Sequence, residues 1–330
     1  MQDGKSVEMK ALSQDQLALI EALLAETDTG GITAALLEKD EHLTQALRAV
    51  FGLRFEHATL VFCGGTSLSK AHGLIERMSE DADIKVVLAD STVSWSKTKL
   101  RSYLGNEVRH RILETLTSTG LAEDEAQRRS LNDNRYVHSQ WAYERAYEGV
   151  TALRPNLQFE LIVRRPVLPT IVKSIGALTD RLAQRTGTAC AIPVIAAAET
   201  LAEKVLSFLR RFALHRAGKM QQAWDTALVR HVYDVHCIVS RAPGAVEDGV
   251  RAFAALMQGD IDEFGYQHPA FAADPKAVLR HALDAVGTDA QTRKEYDEVL
   301  LPLVYGRGKY PFDEAWASFE CVARQMLSEF

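Results

Sequence analysis

The feature of this sequence that most constrains its fold is a change of texture around residue 64. The apolar run Ala58 to Cys63 stops at Gly64-Gly65, and a hydroxyl-rich segment, Thr66-Ser67-Leu68-Ser69, follows at once. A second extended run then carries acids at alternate positions, Asp81 and Asp83. Strand, tight turn, helix and strand is the reading this pattern imposes. Two glycines allow a sharp turn and a close approach of backbone to ligand, and a helix that begins there offers unpaired N–H groups beside the hydroxyls of Thr66 and Ser67. Gly64, Gly65, Thr66 and Ser67 are therefore candidates for holding phosphate. On the second strand residues two apart share a face, so Asp81, Asp83 and Lys85 point one way and Ala82, Ile84, Val86 and Leu88 the other. Two carboxylates on one strand face beside such a turn suit Mg2+, a hard ion that takes a few carboxylates together with substrate phosphates.

The chain of 330 residues has the length for one large domain or two ordinary ones. Its net charge of −6 argues against a protein that coats nucleic acid non-specifically, so a nucleic-acid partner has to be recognised by a local basic surface. Cys63, Cys190, Cys237 and Cys321 are scattered without a CxxC pair and read as small buried hydrophobes of a reducing compartment. No apolar stretch approaches the roughly 20 residues that span a bilayer, and the opening MQDGKSVEMK is too polar for a signal peptide. The expectation is a cytoplasmic protein with no membrane partner.

Residues 12 to 26 and 33 to 51 read as helices, the first with a capping box at Ser13-Gln14-Asp15-Gln16. Residues 96 to 118 carry helical periodicity, and Arg101, Arg109 and Arg111 read as its solvated face. Between Tyr136 and Val163 the pattern alternates as strands do. Leu157, Phe159, Leu161 and Val163 take one face and leave Glu160 on the other, either as a third carboxylate of the site or as an ordinary exposed acid. A helix from about Val194 to His215 buries Leu201, Val205, Phe208 and Phe212, with Lys204, Arg211 and His215 on its flank; Lys204 is a ligand-facing cation or a snorkelling surface lysine. A further helix runs from about Gln221 to Ser240, where Arg230 and Asp234 at i, i+4 read, taken alone, as a surface ion pair. Amphipathic helices follow to the C-terminus. His72, His138, His231 and His236 lack a zinc-ligand spacing, and neither a Walker A loop nor a GxGxxG turn is present.

Gly64-Gly65-Thr66-Ser67-Leu68-Ser69 followed by Arg77-Met78-Ser79-Glu80-Asp81-Ala82-Asp83 resembles the opening motif of the AbiEii-type toxin nucleotidyltransferases of the DNA polymerase beta-like superfamily. Leu153-Arg154-Pro155-Asn156-Leu157-Gln158-Phe159-Glu160 is similar to that family's strand with a third acid, Glu199 to Val205 to its lysine helix, and Arg230 to Val235 to its late aspartate motif. The tail Tyr305-Gly306-Arg307-Gly308 to Ala315 continues the likeness. One departure is His231, where the family often has an acid after the arginine. The resemblance implies an α+β fold, with a small mixed sheet forming a polymerase beta-like core and a helical C-terminal half. Residues 1–54 would be a helical lead-in, 55–190 the core with the metal-binding strands, and 191–330 the helical domain that supplies Lys204 and Asp234.

The same resemblance implies the chemistry of nucleotidyl transfer. Asp81, Asp83 and Glu160 would hold Mg2+ or Mn2+. Gly64, Gly65, Thr66, Ser67 and Lys204 would bind the NTP, Glu160 would position or deprotonate an acceptor hydroxyl, and Asp234 would orient Lys204 or the acceptor. The acceptor implied is RNA, a tRNA 3′ end in particular, with an antitoxin as partner and no DNA. Transfer to a protein or small molecule, and a non-catalytic nucleotide- or partner-binding module, stay open as alternatives.

Overall fold

A computed structural model describes residues 9–26, 28–149, 153–185, 190–220, 223–306 and 308–329. The expected helix start at Gln221 and Arg307 of the tail motif lie outside them. The chain divides into two compact units: one takes in residues 1–73, 78–166 and 170–194, and the other 74–77, 167–169 and 195–330.

The first unit is built on a mixed sheet. After helices α1 (Gln14–Glu26) and α2 (Ala34–Gly52) come β1 (Ala58–Cys63), α3 (Gly64–Lys70) and β2 (Asp81–Leu88). Next come α4 (Lys97–Ser102), a π-helical segment (Tyr103–Arg109) and α5 (His110–Ser118), which are followed by β3 (Ala122–Glu123), β4 (Arg129–Leu131), β5 (Tyr136–Ala142) and β6 (Leu157–Ile162). The unit ends with β7 (Ile171–Ile175), α6 (Leu178–Leu182) and β8 (Cys190–Val194). The strand order is β3-β5-β6-β2-β1-β8-β7, with β4 paired to β5. The pairs β2/β6 and β1/β8 are parallel and the others antiparallel. The capping box forms as expected, Ser13 N donating to Gln16 Oε1 at 3.1 Å and Gln16 N to Ser13 Oγ at 3.3 Å.

The sheet is larger than the small one expected, in part because β7 and β8 leave little signature. Val172 in β7 is 72% exposed and Pro193 interrupts β8, so neither reads as a strand flanking a core. One face of the sheet packs on α2 and α5, where Leu43, Leu47 and Val50 meet Phe62, Ile84, Ile112 and Phe159. The apolar alternation of β2 and β6 sends Ala82, Ile84, Phe159 and Leu161 into that core, and the acids take the opposite face.

The run Glu38-Lys39-Asp40-Glu41 of α2 is buried, although four consecutive charges look like a helix surface. Each charge has partners. Glu38 accepts from the Ala146 N–H at 2.6 Å, Asp40 from Lys70 Nζ at 2.6 Å and the Leu178 N–H at 2.7 Å, and Glu41 from Gln16 and Thr179. Lys39, fully buried, donates to Glu80 at 2.5 Å and to the Arg154 carbonyl at 2.7 Å. Burial of paired charges is stable only while both partners are present.

The second unit is helical. It comprises α7 (Ala197–Arg216), α8 (Arg230–Arg241), α9 (Ala245–Phe264), α10 (Pro269–Ala273), α11 (Pro275–Val286), α12 (Ala290–Glu295) and α13 (Phe312–Ser328). The central helix α7 packs against α8, α9 and α11 through the expected stripe, and Phe208 lies edge-on to Phe319 of α13 at 5.3 Å. Cysteine burial is uneven: Cys63 and Cys237 are buried as expected, but Cys190 is only partly buried and Cys321 is exposed, on the solvent side of a helix whose Phe319, Val322 and Ala323 face the core.

Replacing Lys39 by Met strands the Glu80 carboxylate in the interior and is expected to cost about 3–5 kcal/mol of stability in urea unfolding. The double replacement Lys39→Met, Glu80→Leu removes both charges and is expected to recover most of that loss.

Candidate active site

The turn after β1 and the strand β2 meet closely. Gly64 has φ +73°, a conformation that favours glycine, and a Cβ there would overlap the Asp83 carboxylate. The first glycine is therefore required twice, for its dihedral and for the space that Asp83 fills. Thr66 Oγ1 donates to the Asp81 carbonyl and lies 2.9 Å from Ser79 Oγ, and Ser67 Oγ donates to the Gly64 carbonyl at 2.9 Å. These two buried hydroxyls spend their protons on the protein, fixing the turn against the start of β2. The phosphate-binding capacity expected of this segment thus falls to its backbone N–H groups.

Parallel pairing of β2 with β6 sets Asp81 opposite Gln158 and Asp83 opposite Glu160. Neighbours in register on paired strands project to the same side, so the three acids share one sheet face. Glu160 accepts from the Tyr136 hydroxyl, whose pKa is pushed up by burial and by the charges of Glu160 and Asp83. Tyr136 is thus a neutral donor at physiological pH. Asp81 is paired with Arg154, whose Nη1 lies 2.9 Å from Asp81 Oδ1 and 2.7 Å from Gln158 Oε1. Among the described residues no three His, Cys, Asp or Glu side chains are already gathered as a metal cluster. The donors nonetheless suit a hard divalent cation, being carboxylate oxygens on one sheet face, with the Asp83 carboxylate packed directly against the Gly64 backbone of the turn.

In the helical unit Lys204 and Asp234 come together. Lys204 Nζ lies 2.7 Å from Asp234 Oδ2, and Arg77 grips the same carboxylate in a fork, Nε to Oδ1 at 2.7 Å and Nη2 to Oδ2 at 2.6 Å. Asp234 is fully buried and Arg77 nearly so. The sequence expectation of a surface pair with Arg230 does not hold, since Asp234 points into the unit. Burial alone would raise the Asp234 pKa, but the guanidinium and ammonium outweigh it and hold the carboxyl well below its ordinary range. Lys204 is likewise buried, which removes the snorkelling reading. His231 Nδ1 lies 3.2 Å from the Lys204 carbonyl, and burial, then the Lys204 charge, push its pKa well below the usual value, so the ring is neutral at pH 7. On the flank of α7, Arg211 pairs with Asp225 at 3.2 Å and His215 packs on Trp224.

Sequence reading gave no role to Arg77, Arg154 or Tyr136. Their partners, Asp234, Asp81 and Glu160, lie 157, 73 and 24 residues away. Only the alternation that faces Tyr136 toward the acids was visible locally.

The chain matches the sequence profile described as nucleotidyl transferase AbiEii toxin, type IV TA system, over residues 45–318. It is therefore an enzyme, a nucleotidyltransferase with a mixed α/β fold. It belongs to the AbiEii family, the nucleotidyltransferase toxins of type IV toxin–antitoxin systems, and membership implies an NTP substrate and an antitoxin. Among solved structures it is similar to MenT4, a nucleotidyltransferase toxin from Mycobacterium tuberculosis H37Rv, at 22% identity over 69% of this chain and 72% of that one, with a TM-score of 0.34. It is similar also to JHP933 from Helicobacter pylori, at 12% identity over 91% and 94% of the two chains, with a TM-score of 0.41. The family match alone carries the assignment. Comparison with curated proteins gives no match. Among the described residues no helix is long and apolar enough to cross a membrane.

Three outcomes follow. Gly64→Ala should abolish activity and lower stability by more than about 1 kcal/mol, because a left-handed backbone and the Asp83 carboxylate both reject the added carbon; steady-state transfer and thermal unfolding measure these. Arg77→Ala should cost about 3–5 kcal/mol in urea unfolding, since it leaves a buried ion pair broken. The depressed pKa of Asp234 fixes the sign of its pH dependence: its contribution is complete above the unfolded carboxylate value, about 3.9, and is lost as pH falls toward the folded pKa. Asp234→Asn should therefore flatten the acid limb of the stability profile.

Proposed function

We propose that this toxin moves a nucleoside monophosphate from an NTP to a hydroxyl at the 3′ end of RNA, in particular a tRNA, and so arrests translation until its antitoxin restrains it. The acceptor oxygen forms a bond to the α-phosphorus, the bond to the β-phosphate oxygen breaks, and pyrophosphate leaves with its electron pair. The observation that carries this reading is the register of Asp83 with Glu160 on parallel strands, with the Asp83 carboxylate against the Gly64 turn.

Asp81, Asp83 and Glu160 would hold Mg2+, or Mn2+ in its place. A bound ion of this kind supplies Lewis-acid stabilisation of phosphate charge. The chain's own groups do the positioning. Backbone N–H groups of the Gly64 to Ser67 turn hold phosphate oxygens, and Glu160, steadied by Tyr136, orients the acceptor hydroxyl and takes its proton. Lys204 neutralises charge on the departing pyrophosphate. Asp234, fixed by Arg77, holds Lys204 in one rotamer, which makes it a positioning residue.

The test is incubation with each α-labelled NTP and either total RNA or total protein. Label is expected on RNA and should fall at least about a hundredfold in Asp83→Ala, with the fold checked by circular dichroism. Label on protein alone would overturn the RNA acceptor, and undiminished transfer by Asp83→Ala would overturn the site. Expression in a bacterial host should arrest growth for the parent and not for that variant.

A further inference from the structure

At the far end of β2 from the acids the first unit holds a cavity of about 640 Å³. Its floor is Val86 and Leu88 in the C-terminal half of β2 and Val163 just after β6, all on the sheet face opposite to the acids. Its walls bear five basic side chains, Lys97, Arg101, Arg135, Arg164 and Arg165, against a single acid, Asp133. In a chain with a net charge of −6 such a concentration is local and opposite in sign to the whole. Trp95 also lines the cavity, half-buried, with His57 and Tyr103 packed near right angles to it at 4.8 and 5.3 Å and Lys99 4.0 Å above its ring.

The cavity wall is preorganised. The tip of the β4–β5 hairpin places three consecutive residues, Asn132, Asp133 and Asn134, in the left-handed region at φ 51°, 56° and 66°. Asn134 pins that tip: its Nδ2 donates to the Arg101 carbonyl at 3.1 Å, and its Oδ1 accepts from Arg109 at 2.9 Å and Ser130 at 2.7 Å. Gly105 makes room for it, as a Cβ there would lie 2.9 Å from Asn134 Nδ2. Arg101 and Arg109, which read in the sequence as a solvated face, are thus tied to a built wall. The ion pairs at the rim, Arg165 with Asp90 at 2.6 Å and Arg101 with Asp133 at 3.7 Å, are largely exposed and of small energy, so phosphate can exchange for either acid.

We propose that this cavity is an RNA-docking subsite, in which the basic side chains hold the backbone of a single-stranded stretch and Trp95 stacks a base. This rests on the RNA acceptor proposed above. Basic side chains interleaved with an aromatic ring suit single-stranded nucleic acid, because phosphate and base are both used; an acidic polypeptide would leave the indole without a planar partner. Leu88 lies five residues beyond Asp83, about 16 Å along the strand at the usual rise and on the other sheet face, so the subsite grips RNA at a distance from the acceptor end and the strand passes round the end of β2.

Fluorescence anisotropy of a short labelled single-stranded RNA, without NTP, tests this on the full chain. Lys97→Glu with Arg135→Glu, both exposed positions, should raise Kd at least about tenfold and lower the slope of log Kd against log salt by about 1.4, two phosphate contacts at ~0.7 each. Trp95→Leu should raise Kd about fivefold or more with the slope unchanged. Binding by these variants equal to the parent's, no binding by the parent, or equal binding of polyglutamate with no dependence on Trp95 would each overturn the subsite. Nucleotide transfer is read separately: cavity-dependent RNA binding with label on protein alone sinks the acceptor reading, whereas labelled RNA with cavity-independent binding sinks the subsite.

Discussion

The geometry of the acids depends on one buried ammonium. Lys39 reaches from α2 to Glu80, the residue immediately before Asp81, and to the Arg154 carbonyl just ahead of β6. Glu80 in turn accepts from the Arg154 N–H at 2.7 Å, and the Arg154 side chain meets Asp81. One cation therefore fixes the starts of the two parallel strands on which Asp81, Asp83 and Glu160 stand. In a low-dielectric interior such a network tolerates little displacement, because a charge that loses its partner cannot find water. The three acids inherit their relative position from a buried network that Lys39 and Glu80 close behind the strand starts.

The helical unit uses a similar device for a different end. A carboxylate as deeply buried as Asp234 would ordinarily be pushed toward its neutral form, and two cations reverse the outcome. Arg77 contributes a rigid bidentate fork and Lys204 a flexible point charge, so the aspartate is oriented by one and orients the other. The neutral His231 beside the Lys204 carbonyl adds no competing charge. That clarifies the departure of this chain from the acid usual after the arginine.

What was legible in the sequence was what period and punctuation record. Alternation put Asp81 and Asp83 on one face of their strand and Glu160 on the polar face of another, a glycine pair marked the turn beside the aspartates, and the pairing of β2 with β6 made the two faces one. The 3.6-residue stripe located α7 and its buried phenylalanines. What was not legible was every partner chosen across long separations. Four successive charges in α2 carry the signature of a surface, and only the fold reveals that Ala146, Lys70, Leu178, Thr179 and Glu80 meet them. Taken alone, Asp234 looked like half of a surface pair because its i−4 neighbour is an arginine; the family resemblance tied it to Lys204, and the fold adds Arg77. The strands β7 and β8 were hidden by an exposed valine and an internal proline, which imitate a loop.

The ion trio of the helical unit has a consequence for biosynthesis. Arg77 leaves the ribosome 157 residues before Asp234. At 5–20 residues per second that is a delay of about 8–30 s, during which the guanidinium has no buried partner to accept it. The second unit cannot complete its interior until α8 has emerged. A chain that ends before α8 leaves Arg77 and Lys204 without the carboxylate that joins them.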